Sequence, residues 1–115
     1  MFPLPQSKKI LVAREPVDMR KSFDGLFSVA TQQLKESPLD GNLFVFFNKK
    51  KSIIKLLFWD SGGLCIIAKR LERGTFQAPI NKNAKFEIKS TDLQLILEGI
   101  NLHSIRYRRR FVPLF

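Results

Sequence analysis

Between Phe44 and Phe76 three apolar runs alternate with two polar breaks. The breaks are Asn48-Lys49-Lys50-Lys51-Ser52 and Asp60-Ser61-Gly62-Gly63. Short runs rich in Ile, Phe and Trp, bounded by Asn, Asp, Ser and Gly, predict strands joined by turns, a β-meander. Leu43–Phe47 is continuously apolar, as a strand covered on both faces would be. Ile53–Trp59 is interrupted only by Lys55, which alternation sets on the face of Ile53, Leu57 and Trp59. In the third strand Lys69 shares a face with Cys65, Ile67 and Leu71. A tight turn at Ser61-Gly62 would bring Lys55 and Lys69 close together on one face, and a slip of one residue would separate them.

Upstream, Lys8–Ala13 (KKILVA) predicts a first strand, stopped by Pro16. Asp18 stands where a helix N-cap belongs. Phe23, Leu26, Phe27, Ala30 and Leu34 then form an apolar stripe at helical spacing, which predicts a helix over Met19–Glu36. Gly25 inside it costs about 1 kcal/mol against Ala, so close packing or an irregular first turn is expected there. Downstream, Lys85–Lys89 (KFEIK) alternates like a half-exposed strand. Ser90 is placed to cap a second, shorter helix with Leu93, Ile96, Leu97 and Ile100 on one face. The expected fold is therefore α+β: an antiparallel sheet of about four to five strands, packed with one longer N-terminal helix and a short C-terminal one. Residues 1–102 read as one domain and 103–115 as a basic tail, with Arg106, Arg108, Arg109 and Arg110 around Tyr107.

Composition adds a partner class. A chain of 115 residues with 44% hydrophobic residues and 11 Phe can bury a core of its own. No apolar run approaches the roughly 18 residues of a membrane span. The opening Met-Phe-Pro-Leu-Pro has no apolar signal core, so no secretory signal is expected. A lone Cys65 has no disulfide partner in the chain, and a reducing, cytoplasmic setting is the expectation. Net charge is +10, from 20 Lys and Arg against 10 Asp and Glu. Such an excess costs self-repulsion and suits a polyanionic partner, nucleic acid ahead of anionic membrane, unless the surface is merely basic.

Catalytic patterns are sparse. Asp60-Ser61-Gly62-Gly63 has neither the spacing nor the lysine of a phosphate loop. One Cys and one His, His103, do not make a structural zinc site. Asp18, Asp24, Asp60 and Glu72 are the carboxylates that a two-metal centre would need. Each has a simpler role as a helix cap, a turn opener or an ion-pair partner. No enzyme activity, metal or cofactor is expected.

Several ordered segments together resemble one family. They are Asp18–Leu26 (DMRKSFDGL), Gly41–Phe46 (GNLFVF), Ile54–Asp60 (IKLLFWD), Gly63, Ala68–Phe76 (AKRLERGTF), Pro79, and a helix ending in Leu97-Glu98-Gly99-Ile100. In order and spacing they are similar to the TnpB accessory proteins of insertion-sequence-66 transposons, over roughly residues 3–101. The RNA-guided nucleases that share the name are a different family. The resemblance implies a non-catalytic helper of transposition, encoded beside a separate transposase that carries the chemistry. The chain departs from the family pattern at Ser22, where a Gly is usual, and in its Lys-Lys-Lys-Ser turn. The tail inherits no role from the match.

The candidate DNA contacts follow from charge. Lys49, Lys50 and Lys51 form either a solvated hairpin loop or a finger that reaches phosphates. Lys69, Arg70 and Arg73 surround Glu72 at a strand end. Arg20 and Lys21 sit at a predicted helix N-terminus, where the dipole disfavours cations unless a polyanion is near. Lys55 belongs to the set if it reaches the basic face. Arg106, Arg108, Arg109 and Arg110 would make an arm that orders on nucleic acid. Trp59 reads as core, with a base-stacking platform as the other reading. The expected partners are DNA at transposon ends, together with the transposase and other accessory proteins of the element. No membrane partner is expected, and no oligomeric state is indicated. An adaptor that recruits or stabilises the transposase without touching DNA is the second reading.

Overall fold

The computed structural model describes residues 4–99. Strand β1 (Lys9–Ala13) is followed by helix α1 (Phe23–Ser28), which runs on as a π-helical segment (Val29–Gln33) and, after a 3₁₀ turn (Pro38–Asp40), leads into β2 (Asn42–Phe47). Strands β3 (Ile53–Asp60) and β4 (Gly63–Arg70) complete the meander, and β5 (Lys85–Ile88) and helix α2 (Ser90–Leu97) close the described chain.

The sheet order is β4-β3-β2-β1-β5. The meander is antiparallel, as is β1 with β5, but β1 lies parallel to β2, with Leu11 beside Phe44 and Val12 beside Val45. The sheet is therefore mixed, not purely antiparallel as the meander pattern predicts. The physical reason is the connection. A strand followed by a helix can return to its own edge only by a crossover, and a crossover delivers a parallel neighbour.

Both faces of the sheet are covered. On one face Leu11, Phe44, Phe46 and Leu57 pack against Leu26, Val29, Ala30 and Leu34 of the α1 layer. On the other, Val12, Val45, Leu56 and Phe58 pack against Leu93, Ile96 and Leu97 of α2 and against Phe76 from the β4–β5 connection. Every residue of β2 is buried, as its unbroken apolar run predicts.

The first helix is shorter and less regular than its periodicity predicts. It starts at Phe23 and not at Met19, and Asp18 does not cap it. Asp18 instead accepts from the backbone N–H and the guanidinium of Arg20, which holds residues 18–21 as a separate turn. After Ser28 the ladder widens: the Leu34 amide donates to the Val29 carbonyl, a five-residue spacing. Val29, outside the predicted stripe, is buried against the sheet, while Phe23, the first member of that stripe, is 47% exposed. In α2 Ser90 is the first helical residue, and Asp92 reaches back to accept from the Lys89 N–H.

Candidate nucleic-acid interface

The β2–β3 turn is built by one side chain. Asn48 Oδ1 accepts from the amides of Ser52 and Ile53, and its Nδ2 donates to Ser52 Oγ. With the side chain of Asn48 holding the turn closed, Lys49 and Lys50 stand exposed at its tip. Lys51 takes a left-handed φ of 57° and lays its ammonium 5.7 Å from the centre of the Phe47 ring.

A second basic segment is fastened to this turn. The Leu71 amide donates to the Ser52 carbonyl at 2.8 Å, and the Phe76 amide to the Lys51 carbonyl at 2.7 Å. The register pairs Ile53 with Arg70, so the Arg70–Arg73 segment leaves the sheet at the end where Lys49–Lys51 turns. Burial of Phe76 in the α2-side core anchors the far side of this segment. Two stretches separated in sequence therefore share one end of the sheet.

Parallel pairing brings further cations to the same end. Val12 lies beside Val45, which sets Arg14 level with Phe47, and the Val17 amide donates to the Phe47 carbonyl. Arg14 donates through Nη1 to the Lys82 carbonyl at 3.0 Å, drawing in the β4–β5 connection. Neither Arg14 nor Lys82 stands out in the sequence, because their position depends on a parallel pairing that local pattern does not reveal.

Several acidic groups at this end are already engaged. Glu15 pairs with Arg14 and Glu72 with Arg70, each at 3.3 Å, and Asp18 holds the exposed Arg20 at 2.6 Å. The Arg20 guanidinium, by hydrogen bonding and by charge, lowers the Asp18 carboxyl from its ordinary 3.8 to about 2. Among the described residues Lys49, Lys50, Arg73 and Lys82 make no ion pair.

Lys55 and Lys69 lie elsewhere. Lys55 faces Ala68 across the β3–β4 ladder and Lys69 faces Ile54, so the two ammonium groups emerge on opposite faces of the sheet. Lys55 Nζ donates to the Met19 carbonyl at 2.8 Å and to the Lys21 carbonyl at 2.9 Å, bracing the turn before α1. Lys69 Nζ donates to the Leu97 carbonyl at the C-terminus of α2, where a cation meets both an orphan acceptor and the negative end of the dipole. Both have structural partners, and neither forms part of a shared basic face.

Lys21 is exposed beside α1, and a Cβ on Gly25 would come within 3.0 Å of its own Cβ, so that glycine marks a close approach. Arg106, Arg108, Arg109 and Arg110 lie outside the described residues. Trp59 is 43% exposed at the end of β3 opposite the basic turn, which corrects its placement in the core. Asp24 lies in the first turn of α1 and Asp60 beside the Ser61 hydroxyl. Among the described residues no cluster of His, Cys, Asp or Glu could hold a metal ion, and no helix is long and apolar enough to cross a membrane.

Fold and surface together define a small, strongly basic α+β domain on a mixed five-stranded sheet, with one sheet end built from basic turns. The chain belongs to the IS66 Orf2-like family, TnpB, whose pattern matches residues 8–107. It is 37% identical over 101 residues to the uncharacterized protein y4hO of Sinorhizobium fredii, covering 88% of each chain. It is 30% identical over 93 residues to y4jC of the same organism, also uncharacterized, covering 81% of this chain and 80% of that one. No solved structure matches. Membership in this family implies an accessory role in an insertion sequence.

Proposed function

We propose that the protein is a non-catalytic DNA-binding accessory of transposition that grips phosphates with the basic end of its sheet. The observation that carries the reading is the pair of backbone bonds joining the Lys49–Lys51 turn to the Arg70–Phe76 segment. They hold Lys49, Lys50 and Arg73 at one end, Arg14 draws Lys82 to the same end, and Glu15, Glu72 and Asp18 are already paired. Flexible lysines at a hairpin tip suit sequence-independent phosphate contact better than base readout. In this reading Arg106, Arg108, Arg109 and Arg110 act as a basic arm appended to a domain of residues 1–102, and the setting is cytoplasmic. Lys55 and Lys69 serve the fold.

Electrophoretic mobility shift with transposon-end duplex, repeated across salt concentrations, tests the proposal. Neutralising about six phosphates predicts a slope near −5 for log affinity against log salt. A flat salt response would sink the DNA reading.

A second reading has its own support. Trp59 is 43% exposed at the end of β3 opposite the basic turn, and an exposed tryptophan is the kind of anchor that a protein contact uses. The protein would then be an adaptor that recruits or stabilises the transposase. Capture of the transposase at high salt, with nuclease present, favours the adaptor.

A further inference from the structure

The two edges of the sheet are built differently. β5 is four residues long and carries Lys85 and Glu87, the short charged form that resists pairing. β4 is eight residues long, runs in unbroken register against β3, and contains no proline or bulge. Its centre, Leu64 to Ile67, is apolar and only partly buried. Among the described residues no strand pairs with its outer side.

The backbone of that edge can be read from the hairpin. Ser61 and Gly62, with φ of 47° and 85°, form a two-residue turn flanked by Asp60 and Gly63. The flanking pair of such a hairpin is hydrogen-bonded, and the pattern alternates from there. Gly63, Cys65, Ile67 and Lys69 therefore direct their backbone groups to β3. Leu64, Ile66, Ala68 and Arg70 direct theirs outward.

We propose that β4 pairs antiparallel with β4 of a second copy of this chain, about a two-fold axis through Ile66, making one continuous ten-stranded sheet. The sequence of β4 is self-complementary in that register. Ile66 meets its own counterpart, extending the row that Leu57 begins on the α1 face. Leu64 meets Ala68 of the second copy, whose small side chain leaves room for Trp59, the cross-strand neighbour of Leu64. On the other face Cys65 meets Ile67. Lys69 meets Gly63 of the second copy, whose missing side chain leaves the Lys69 ammonium on the Leu97 carbonyl. The outward groups of Leu64, Ile66 and Ala68 give about six hydrogen bonds between copies. Charge also favours this arrangement over a parallel one. Each copy carries +10, and antiparallel pairing sends the two basic ends to opposite poles.

The test uses the full chain, nuclease-treated and at high salt so that repulsion is screened. Light scattering after gel filtration is expected to give twice the 13.3 kDa chain mass, with emission of the single Trp59 moving to shorter wavelength as concentration rises. Ala68→Pro removes an outward N–H and no bond to β3, so it is expected to give a monomer with unchanged circular dichroism. Ile66→Cys in a Cys65→Ser background is expected to cross-link between copies on oxidation, which keeps the test valid should the proline variant fail to fold. A monomeric wild type at every concentration overturns the pairing. So does an Ala68→Pro dimer as tight as wild type, or an Ile66→Cys chain that stays uncross-linked.

Discussion

Lys55 and Lys69 sit on adjacent strands of one hairpin yet point to opposite faces of the sheet, because the ladder sets Lys55 against Ala68 and Lys69 against Ile54. Each ends on backbone carbonyls, Lys55 on those of Met19 and Lys21 and Lys69 on that of Leu97. Replacing either by Met is therefore expected to lower stability by about 1–2 kcal/mol, the loss of a charge-assisted bond to a partly buried acceptor. The salt slope for DNA should stay as it is. Urea unfolding and a mobility-shift series on the same preparations would check both halves. An unchanged stability with a shallower slope would return these lysines to the interface.

The turn residues should behave in the opposite way. Lys49→Ala, Lys50→Ala and Arg73→Ala remove exposed cations without ion pairs among the described residues. Each is expected to weaken DNA binding and to reduce the salt slope by about one, with the unfolding midpoint unmoved.

Asn48 links the two kinds of residue. Its side chain makes three hydrogen bonds inside the turn that displays Lys49 and Lys50. Asn48→Ala is expected to cost about 1–3 kcal/mol, since the Ser52 and Ile53 amides lose their acceptor. DNA affinity should fall as well, although no charge is removed. Chemical denaturation paired with the mobility shift separates this variant from the lysine variants.

Most elements were legible in the sequence. Short apolar runs and their Asn, Asp and Gly breaks located β2, β3 and β4, alternation located β5, and the spacing of Leu93, Ile96 and Leu97 located α2. What depended on long-range geometry was not legible. The parallel β1–β2 pairing is a property of the crossover. The late start of α1 follows from Arg20 occupying Asp18, and its widened ladder from packing that buries Val29. The separation of Lys55 from Lys69 rests on register, which alternation alone leaves open by one residue. At the candidate interface the Lys49–Lys51 and Arg70–Arg73 segments were legible as charge. Their junction through Leu71 and Phe76 was not, since it is made by backbone atoms.

Stability should fall on the acid side. Lys85 donates to Glu36, tying the segment after α1 to β5, and that hydrogen bond holds the Glu36 carboxyl below its ordinary 4.5. Asp18 is lowered from 3.8 to about 2 by Arg20. Both carboxyls titrate lower in the folded chain than in the unfolded one. Their contributions are complete above the unfolded values and are lost as pH falls through the folded ones. Thermal melts are expected to decline from about pH 4.5 downward, with the Asp18 part extending to about pH 2. Glu36→Gln should flatten the upper part of that decline, and an unchanged profile would remove the Lys85 pair from the account of stability.

Amide chemical shifts of the labelled full chain, followed during titration with transposon-end duplex, give the most direct view of the basic end. Phosphate contact there predicts the largest changes at Lys49–Ser52 and Arg70–Phe76, with Arg14 and Lys82 next, and little change at Gly41–Asn42, at the other end of the central strand β2 and away from the β4 edge. Shifts centred on Gly41–Asn42, or none at all with saturating DNA, would contradict it.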